Sequence, residues 1–418
     1  MKAIAGPSGV LTAPTDVEGH TVDWRKRYSG PTDAVLLPRT TSEVSALVKL
    51  CVAERISIIP QGGNTGQSGG SVPLANQSLN AILCLGRLNK VREISRDNNT
   101  ITVEAGVVLQ TVQEAAETID RYFPLSLGAE GSCQIGGNLA TNAGGTAVLR
   151  YGNARDMVLG LEVVLPSGEI WNGLRTLRKD NTGYDIKSLF LGSEGTLGII
   201  TAAALKLYSR PVESALAWVA VDGMAPAVNL LSQLRDTLDS RLSAFEYLSC
   251  AQLELVLKHV AGHSRPLANI SPGYVLIELS DSLRTDTLNA LLEMSLESAL
   301  DNGLITDAIV ATSGAQAAAL WKIRHSVSEA NRAHGVSLNH DVAVPTAALP
   351  DFTAEATAHI NAHFPQAEVI TVAHMGDGNV HFLTIFPREF WATHPDANAY
   401  TAEVRRSVYT LANQYQGT

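Results

Sequence analysis

The sequence predicts an α+β protein in two parts: a first domain built around three glycine-rich loops, and a second domain with an antiparallel sheet. Three observations carry that expectation. Residues 60–73, 127–145 and 181–201 are rich in glycine and small residues and sit on separate strand–loop units. After Arg210-Pro211 glycine thins out, and strand-like runs alternate with longer amphipathic helices. At 418 residues the chain is too long for one core, so two or three domains are expected.

Composition narrows the classes. Hydrophobic residues make up 45% and charged residues 17%, the balance of a packed globular chain rather than a disordered one. A formal net charge of -10 argues against a general nucleic-acid binder, which needs clustered Lys and Arg; a small anionic ligand needs only one local positive site. The four cysteines, Cys51, Cys84, Cys133 and Cys250, form no Cys-x-x-Cys pair, which fits a reducing compartment without a disulfide framework. No apolar stretch reaches membrane-spanning length, and the first residues lack the apolar core of a secretory signal. A soluble, cytoplasmic protein is the expectation.

In chain order, residues 1–27 have mixed polarity and no period and read as an extension. Residues 34–38 read as a strand. Ser42 is the expected N-cap of a helix with Val44, Leu47, Val48 and Cys51 on one face, and a strand at 56–59 follows. This β-α-β unit runs directly into residues 60–73, PQGGNTGQSGGSVP, where five glycines accompany Asn64, Thr65 and Ser68. Glycine lets the backbone approach a ligand closely, and successive N–H groups in such a turn can hold an anion. The plain alternative is a flexible surface loop. Residues 81–85 read as a buried strand. Residues 91–94 and 100–104 flank Asp97-Asn98-Asn99 as a hairpin. A helix carries Leu109, Val112, Ala116 and Ile119, and residues 159–166 and 169–171 form another strand pair. Beyond 211, strands are expected at 216–221, 274–280 and 305–311, and helices at 225–238, 285–301 and 315–334.

Two common phosphate-binding folds do not fit the first loop. A dinucleotide fingerprint opens a helix, which Pro73 and the flanking glycines discourage; a nucleoside-triphosphate loop needs Gly-Lys-Ser/Thr, which is absent. Instead PQGGNTGQSGG, LGAEGSCQIGGNLATNAGG and GSEGTLGIIT, in this order, resemble the flavin-binding domain of the vanillyl-alcohol oxidase / para-cresol methylhydroxylase superfamily. Within it the chain is similar to the FAD-dependent D-2-hydroxy acid dehydrogenases: D-lactate, D-2-hydroxyglutarate and the glycolate oxidase subunit. The resemblance runs from about Tyr28 to the last residue. It implies an extension at 1–27, an FAD-binding domain at 28–211, an α+β substrate (cap) domain at 212–400, and the start of a C-terminal segment at 401–418.

The same resemblance assigns residues. Pro60, Gly62, Gly63, Asn64, Thr65, Gly66, Gln67 and Ser68 would hold the FAD pyrophosphate. Gly131, Ser132, Ile135, Gly136, Asn138, Ala140, Thr141 and Gly145 would lie along the isoalloxazine and ribityl part. Glu194, Gly195 and Ile200 would add contacts from the third stretch. Cys133 reads as an unbonded cysteine beside a dissociable FAD.

The second half contains His374-Met375-Gly376-Asp377-Gly378-Asn379-Val380-His381 between two strand-like runs, 368–372 and 380–385. A tight Gly-Asp-Gly reversal would bring both imidazoles to one side. By resemblance His374 and His381 bind a divalent ion, zinc or manganese, and Asn379 faces the flavin or the substrate. Upstream, Ser313 and Gln316 form a capping pattern, and Arg324 and Ser328 stand one helical turn apart. An arginine is a fork for a carboxylate, and a solvated surface arginine is the plain alternative. The resemblance makes Arg324 and Ser328 the carboxylate-binding pair.

Two departures bear on function. Dicarboxylate enzymes carry a lysine where this chain has Asn339, which weakens a 2-hydroxyglutarate assignment. Related chains also continue past Thr418 into a Glu-His segment that supplies a metal ligand and a base. The expected activity is therefore oxidation of a small D-2-hydroxy acid by hydride transfer to FAD, with an electron-transfer flavoprotein, quinone or similar acceptor, in a homodimer. The alternatives are a chain that binds FAD but is catalytically incomplete, and a flavin oxidase acting on alcohols.

Overall fold

A computed structural model describes residues 1–75 and 79–418. Contacts divide the chain into a first unit, Met1–Gly145 with Tyr151–Arg210, and a second, Thr146–Arg150 with Pro211–Thr418.

The first unit begins with β1 (Val10–Leu11), β2 (Ala34–Leu36), β3 (Ser57–Gln61) and β4 (Asn80–Cys84), in the sheet order β1-β2-β4-β3. β2 and β3 both run parallel to β4, which is buried along its whole length as parallel strands are. The helix Thr41–Ala53 makes the crossover and buries Val44, Leu47, Val48 and Cys51. Its N-cap is Thr40 rather than Ser42. The Thr40 hydroxyl accepts the Glu43 N–H, and the Glu43 carboxylate accepts the Arg39 N–H at 2.7 Å, a reciprocal arrangement that Ser42 could not complete. Residues 1–27 are more than an extension, because β1 pairs with β2 through Val10 and Leu36.

Next come β5 (Val91–Ser95), β6 (Thr100–Glu104), β7 (Arg121–Tyr122), β8 (Val158–Val164), β9 (Ile170–Gly173), β10 (Ile199–Lys206) and β11 (Tyr208–Ser209). Five form an antiparallel sheet in the order β5-β6-β10-β8-β9, and β7 pairs with β11. The turn at Asp97-Asn98-Asn99 closes β5 on β6, with Asn99 at φ 51°. The helix Leu109–Glu117 ends before Ile119.

The second unit is one seven-stranded sheet of β12 (Glu213–Val221), β13 (Leu242–Ser249), β14 (Gly273–Asp281), β15 (Asp307–Val310), β16 (Val336–Ala343), β17 (Glu368–His374) and β18 (Asn379–Phe386). Its order is β15-β12-β14-β13-β17-β18-β16, and every pair is antiparallel. Both faces are covered. Ala217, Val219 and Val221 join a core with the helices Met224–Leu238, Leu288–Asp301, Leu349–His363 and Ala397–Gln414. Leu216, Trp218 and Ala220 point the other way, toward Cys250–His259, Gly314–His325 and Val327–His334. The helix expected at 315–334 is two helices, parted at Ser326. There the Ser326 N–H is shared between the Lys322 and Ile323 carbonyls, tightening the turn, and the hydroxyl meets His263 Nε2 at 2.9 Å.

Candidate functional site

In the first unit each glycine-rich stretch touches the other two. A Cβ on Gly63 would stand 2.1 Å from the Ser132 carbonyl oxygen, so only glycine lets the first stretch press on the second. Gly195, at φ +76°, backs on to Pro60, with Cγ 2.8 Å from where a Cβ would lie. The Glu194 N–H donates to the Ala140 carbonyl at 2.9 Å, and the Gly192 N–H to Leu139 at 3.0 Å.

The sequence candidates fall along this junction. Pro60 lies in β3, which ends at Gln61, and Gly62 to Ser68 form the following loop. Gly131 and Ser132 lead into the short helix Ile135–Ala140, which holds Ile135, Gly136, Asn138 and Ala140, with Thr141 at its C-cap. Gly145 follows at φ +95°, and Ile200 is buried in β10. Asn64 differs from expectation. Its Nδ2 donates to the Val22 carbonyl at 2.9 Å and its Oδ1 accepts from the Ser71 hydroxyl at 2.8 Å, so its side chain braces the loop.

Two buried oxygens at the junction, Gln134 Oε1 and Asn138 Oδ1, have no hydrogen-bond partner among the described residues. Buried polar groups left in that state are costly, and both are acceptors. They suit donors of the kind a ribityl chain or flavin ring presents, while the glycine loop offers backbone N–H groups to a diphosphate. FAD therefore fits the residues present. Gln134 escaped the sequence reading; a polar residue inside so apolar a helix start was the available signal. Cys133 is 3% exposed, and burial pushes its thiol up, away from the reactive thiolate.

In the second unit the pairing register gathers a polar cluster on the sheet face covered by the helix Gly314–His325. Glu246 of β13 lies opposite His374 of β17, His374 opposite Asn379 of β18, and His381 opposite Asp341 of β16. Glu246, 1% exposed, accepts from Arg324 Nε at 2.7 Å with one oxygen and from His374 Nδ1 at 2.7 Å with the other. Burial alone would raise this carboxyl; the charges and hydrogen bonds of His374 and Arg324 outweigh it and bring it down to about 2. Asp341 stands 3.2 Å from His381 Nδ1 and accepts from Asn379 Nδ2 at 2.8 Å. Desolvation opposes its ionisation, but the His381 and Asn379 contacts bring it to about 2. At 68% side-chain exposure, those contacts rather than enclosure set its charge.

An ionised carboxylate can only accept, so each ring presents an Nδ1–H to its carboxylate and turns Nε2 away from it. The two Nε2 atoms are 3.3 Å apart. Two nitrogen ligands of a tetrahedral zinc ion with bonds of about 2.0–2.1 Å would be about 3.3 Å apart, so this spacing matches two positions of such a site. Carboxylates on the far nitrogens are the usual support of such ligands. Among the described residues no group of three or more His, Cys, Asp or Glu is arranged to hold a metal, so the fit covers two positions.

Arg324 Nη2 lies 3.2 Å from His374 Nε2, which places the guanidinium in the cluster. Ser328 is not one turn along the same helix: the break at Ser326 puts it, exposed, in Val327–His334. Asn339 lies on the Asp341 face of β16, and its Oδ1 accepts from the Ser337 hydroxyl at 2.5 Å. Glu246 and Asp341, which orient both histidines, were missed by sequence reasoning.

Known proteins match the whole chain. The family model described as FAD binding domain matches residues 32–173, and that described as FAD linked oxidases, C-terminal domain, matches residues 210–418. A protein named probable D-2-hydroxyglutarate dehydrogenase, mitochondrial, from Oryza sativa subsp. indica is 37% identical over 420 residues, covering 100% of this chain and 72% of its own. A D-2-hydroxyglutarate dehydrogenase from Xanthomonas citri pv. viticola is 38% identical over 376 residues, covering 90% and 78%. The solved structure of p-cresol methylhydroxylase with substrate bound superposes with a TM-score of 0.76 at 14% identity, over 99% of this chain and 86% of that one, which establishes the fold. No helix of the described residues is long and apolar enough to cross a membrane. On these matches the chain belongs to the FAD-dependent D-2-hydroxy acid dehydrogenase family, on the flavin fold that includes p-cresol methylhydroxylase.

Proposed function

We propose that the chain oxidises a small D-2-hydroxy acid to the 2-oxo acid, passing a hydride to FAD. The observation that carries this reading is Arg324, held by Glu246 through Nε beside two imidazoles whose Nε2 atoms converge. The Nη end of the guanidinium meets the substrate carboxylate as a fork. Glu246 and Asp341 keep the Nδ1 protons of His374 and His381 in place, and Asn379 holds Asp341. Asn339 offers only neutral hydrogen bonds to the substrate's far end, which suits D-lactate better than a second carboxylate. Bound FAD supplies the hydride acceptor, and a zinc or manganese ion on His374 and His381 would lower the pKa of the α-hydroxyl. An electron-transfer flavoprotein, a quinone or a similar acceptor would then reoxidise the flavin.

Setting is a separate matter. Four unpaired cysteines support a reducing, cytoplasmic location, whereas the rice relative is named mitochondrial and the Xanthomonas one carries no such label.

The test is anaerobic mixing of the yellow protein with D- and L-enantiomers of lactate and 2-hydroxyglutarate. The flavin band near ~450 nm should bleach with a D-enantiomer and persist with both L-enantiomers. A flavoprotein that no 2-hydroxy acid bleaches overturns the reading, and oxygen uptake on simple alcohols would replace it with an oxidase.

A further inference from the structure

Residues 20–30 precede the matched FAD-binding domain, yet they run beside the glycine loop in the same order along both segments. His20 Nδ1 lies 2.5 Å from Gln61 Oε1, and Gln61 Nε2 donates to the His20 carbonyl at 2.9 Å. Asn64 donates to the Val22 carbonyl. Arg25 Nε donates to Gln67 Oε1 at 2.8 Å, and Arg25 Nη2 reaches the same oxygen. The Tyr28 ring fills the space at Gly69, where a Cβ would stand 2.6 Å from it. Gly30 packs on Pro73 and Leu74, with the Pro73 carbonyl oxygen 2.5 Å from where its Cβ would be. Asp23 holds this segment in shape: it is 2% exposed and accepts the N–H groups of Arg25, Arg27 and Tyr28 at 3.2, 2.6 and 2.7 Å.

We propose that residues 20–30 are a strap that sets the glycine loop for the FAD diphosphate, with Arg25 as a positioning residue acting through Gln67. The proposal rests on the FAD reading of the first unit. Residues 60–75 contain no Lys or Arg, so the loop itself brings no cation to a dianion. Arg25 delivers one from a separate segment. Its charge-assisted bond to Gln67 Oε1 also fixes the amide, leaving Gln67 Nε2 as the outward donor, the polarity a phosphate oxygen requires. Bracing at Gln61 and Asn64 settles the left-handed Asn64 backbone, at φ 52°, before the cofactor arrives.

Apoprotein of the full chain, titrated with FAD by flavin fluorescence, tests this with Arg25→Ala and Arg25→Lys beside the wild type. Arg25→Ala should raise the FAD Kd by about tenfold. Arg25→Lys, which keeps a cation within reach of Gln67, should recover most of that loss, and the apoproteins should melt at the same temperature. An unchanged Kd in Arg25→Ala overturns the strap, as does a loss matched by an equal fall in apoprotein Tm, which would make Arg25 a general structural residue. A wild type that takes up no FAD would overturn the FAD reading itself, and the strap with it.

Discussion

Glu246 faces His374 across the β13–β17 pair, and its carboxylate bridges that histidine to Arg324, accepting from Nδ1 of one and Nε of the other at 2.7 Å each. One buried anion thus fixes which imidazole nitrogen carries the proton and where the guanidinium points.

Removing that anion should cost both stability and turnover. Glu246→Ala leaves Arg324 enclosed without its counter-ion, and breaking a buried pair costs about 3–5 kcal/mol. Glu246→Gln keeps the shape but frees the His374 tautomer, and flavin reduction by substrate should slow by about 10–100-fold at unchanged FAD content. Urea unfolding reads the first effect and stopped-flow bleaching the second. A Glu246→Ala midpoint equal to the wild type would show that the bridge does not hold this unit together.

The same carboxylate predicts an acid limb. Its folded value of about 2 lies below its ordinary 4.5, so the stability it contributes is complete above 4.5 and is lost as pH falls from there toward 2. At about 1.36 kcal/mol per pH unit that amounts to about 3 kcal/mol. Between pH 5 and pH 2 the wild type should therefore lose about 3 kcal/mol more unfolding free energy than Glu246→Gln, measured by denaturant titration at each pH.

The contrast between Glu246 and His374 also shows what the sequence could and could not reveal. His374 and His381 stand out because a Gly-Asp-Gly reversal between them is visible in the chain itself. Glu246 lies in β13, which is buried on both faces, so LSAFEYLS lacks the alternation that marks a half-exposed strand. It also reaches His374 across 128 residues, a pairing no local pattern encodes. The three glycine stretches were legible because a close backbone approach demands glycine, as at Gly63. The strap was not, because its hydrogen bonds use ordinary side chains over 41 or 42 residues. The break at Ser326 was hidden by helical spacing that runs straight through it.

Asp341 supports His381 as Glu246 supports His374, and a divalent ion on the two rings would feel its loss. Asp341→Asn should weaken zinc or manganese binding by about 10–100-fold without changing FAD content. Equilibrium dialysis followed by elemental analysis measures it. Equal metal retention in Asp341→Asn and the wild type would count against His381 as a ligand.

Asn339 bears on substrate size. Asn339→Lys places an ammonium on the β16 face that also carries Asp341, where the amide now accepts from Ser337. A charge-assisted bond to a distal carboxylate is stronger than a neutral one, so the kcat/KM ratio of D-2-hydroxyglutarate to D-lactate should rise by about tenfold. An unchanged ratio would place the substrate's far end away from β16.

Gly63 gives the sharpest steric test of the cofactor cradle. A Cβ there would meet the Ser132 carbonyl oxygen at 2.1 Å and the Cys133 Cα at 3.3 Å, both on backbone that cannot swing aside. Gly63→Ala must therefore push the first stretch off the second and open the junction that carries Gln134 Oε1 and Asn138 Oδ1. By contrast, a Cβ on Gly66 meets nothing within 4 Å. Gly63→Ala should purify largely colourless, with FAD per chain well below that of Gly66→Ala, while the circular dichroism of the seven-stranded second unit persists. Absorbance at 280 nm against the flavin band reads the ratio directly, and full flavin content in Gly63→Ala would move the cofactor away from this junction.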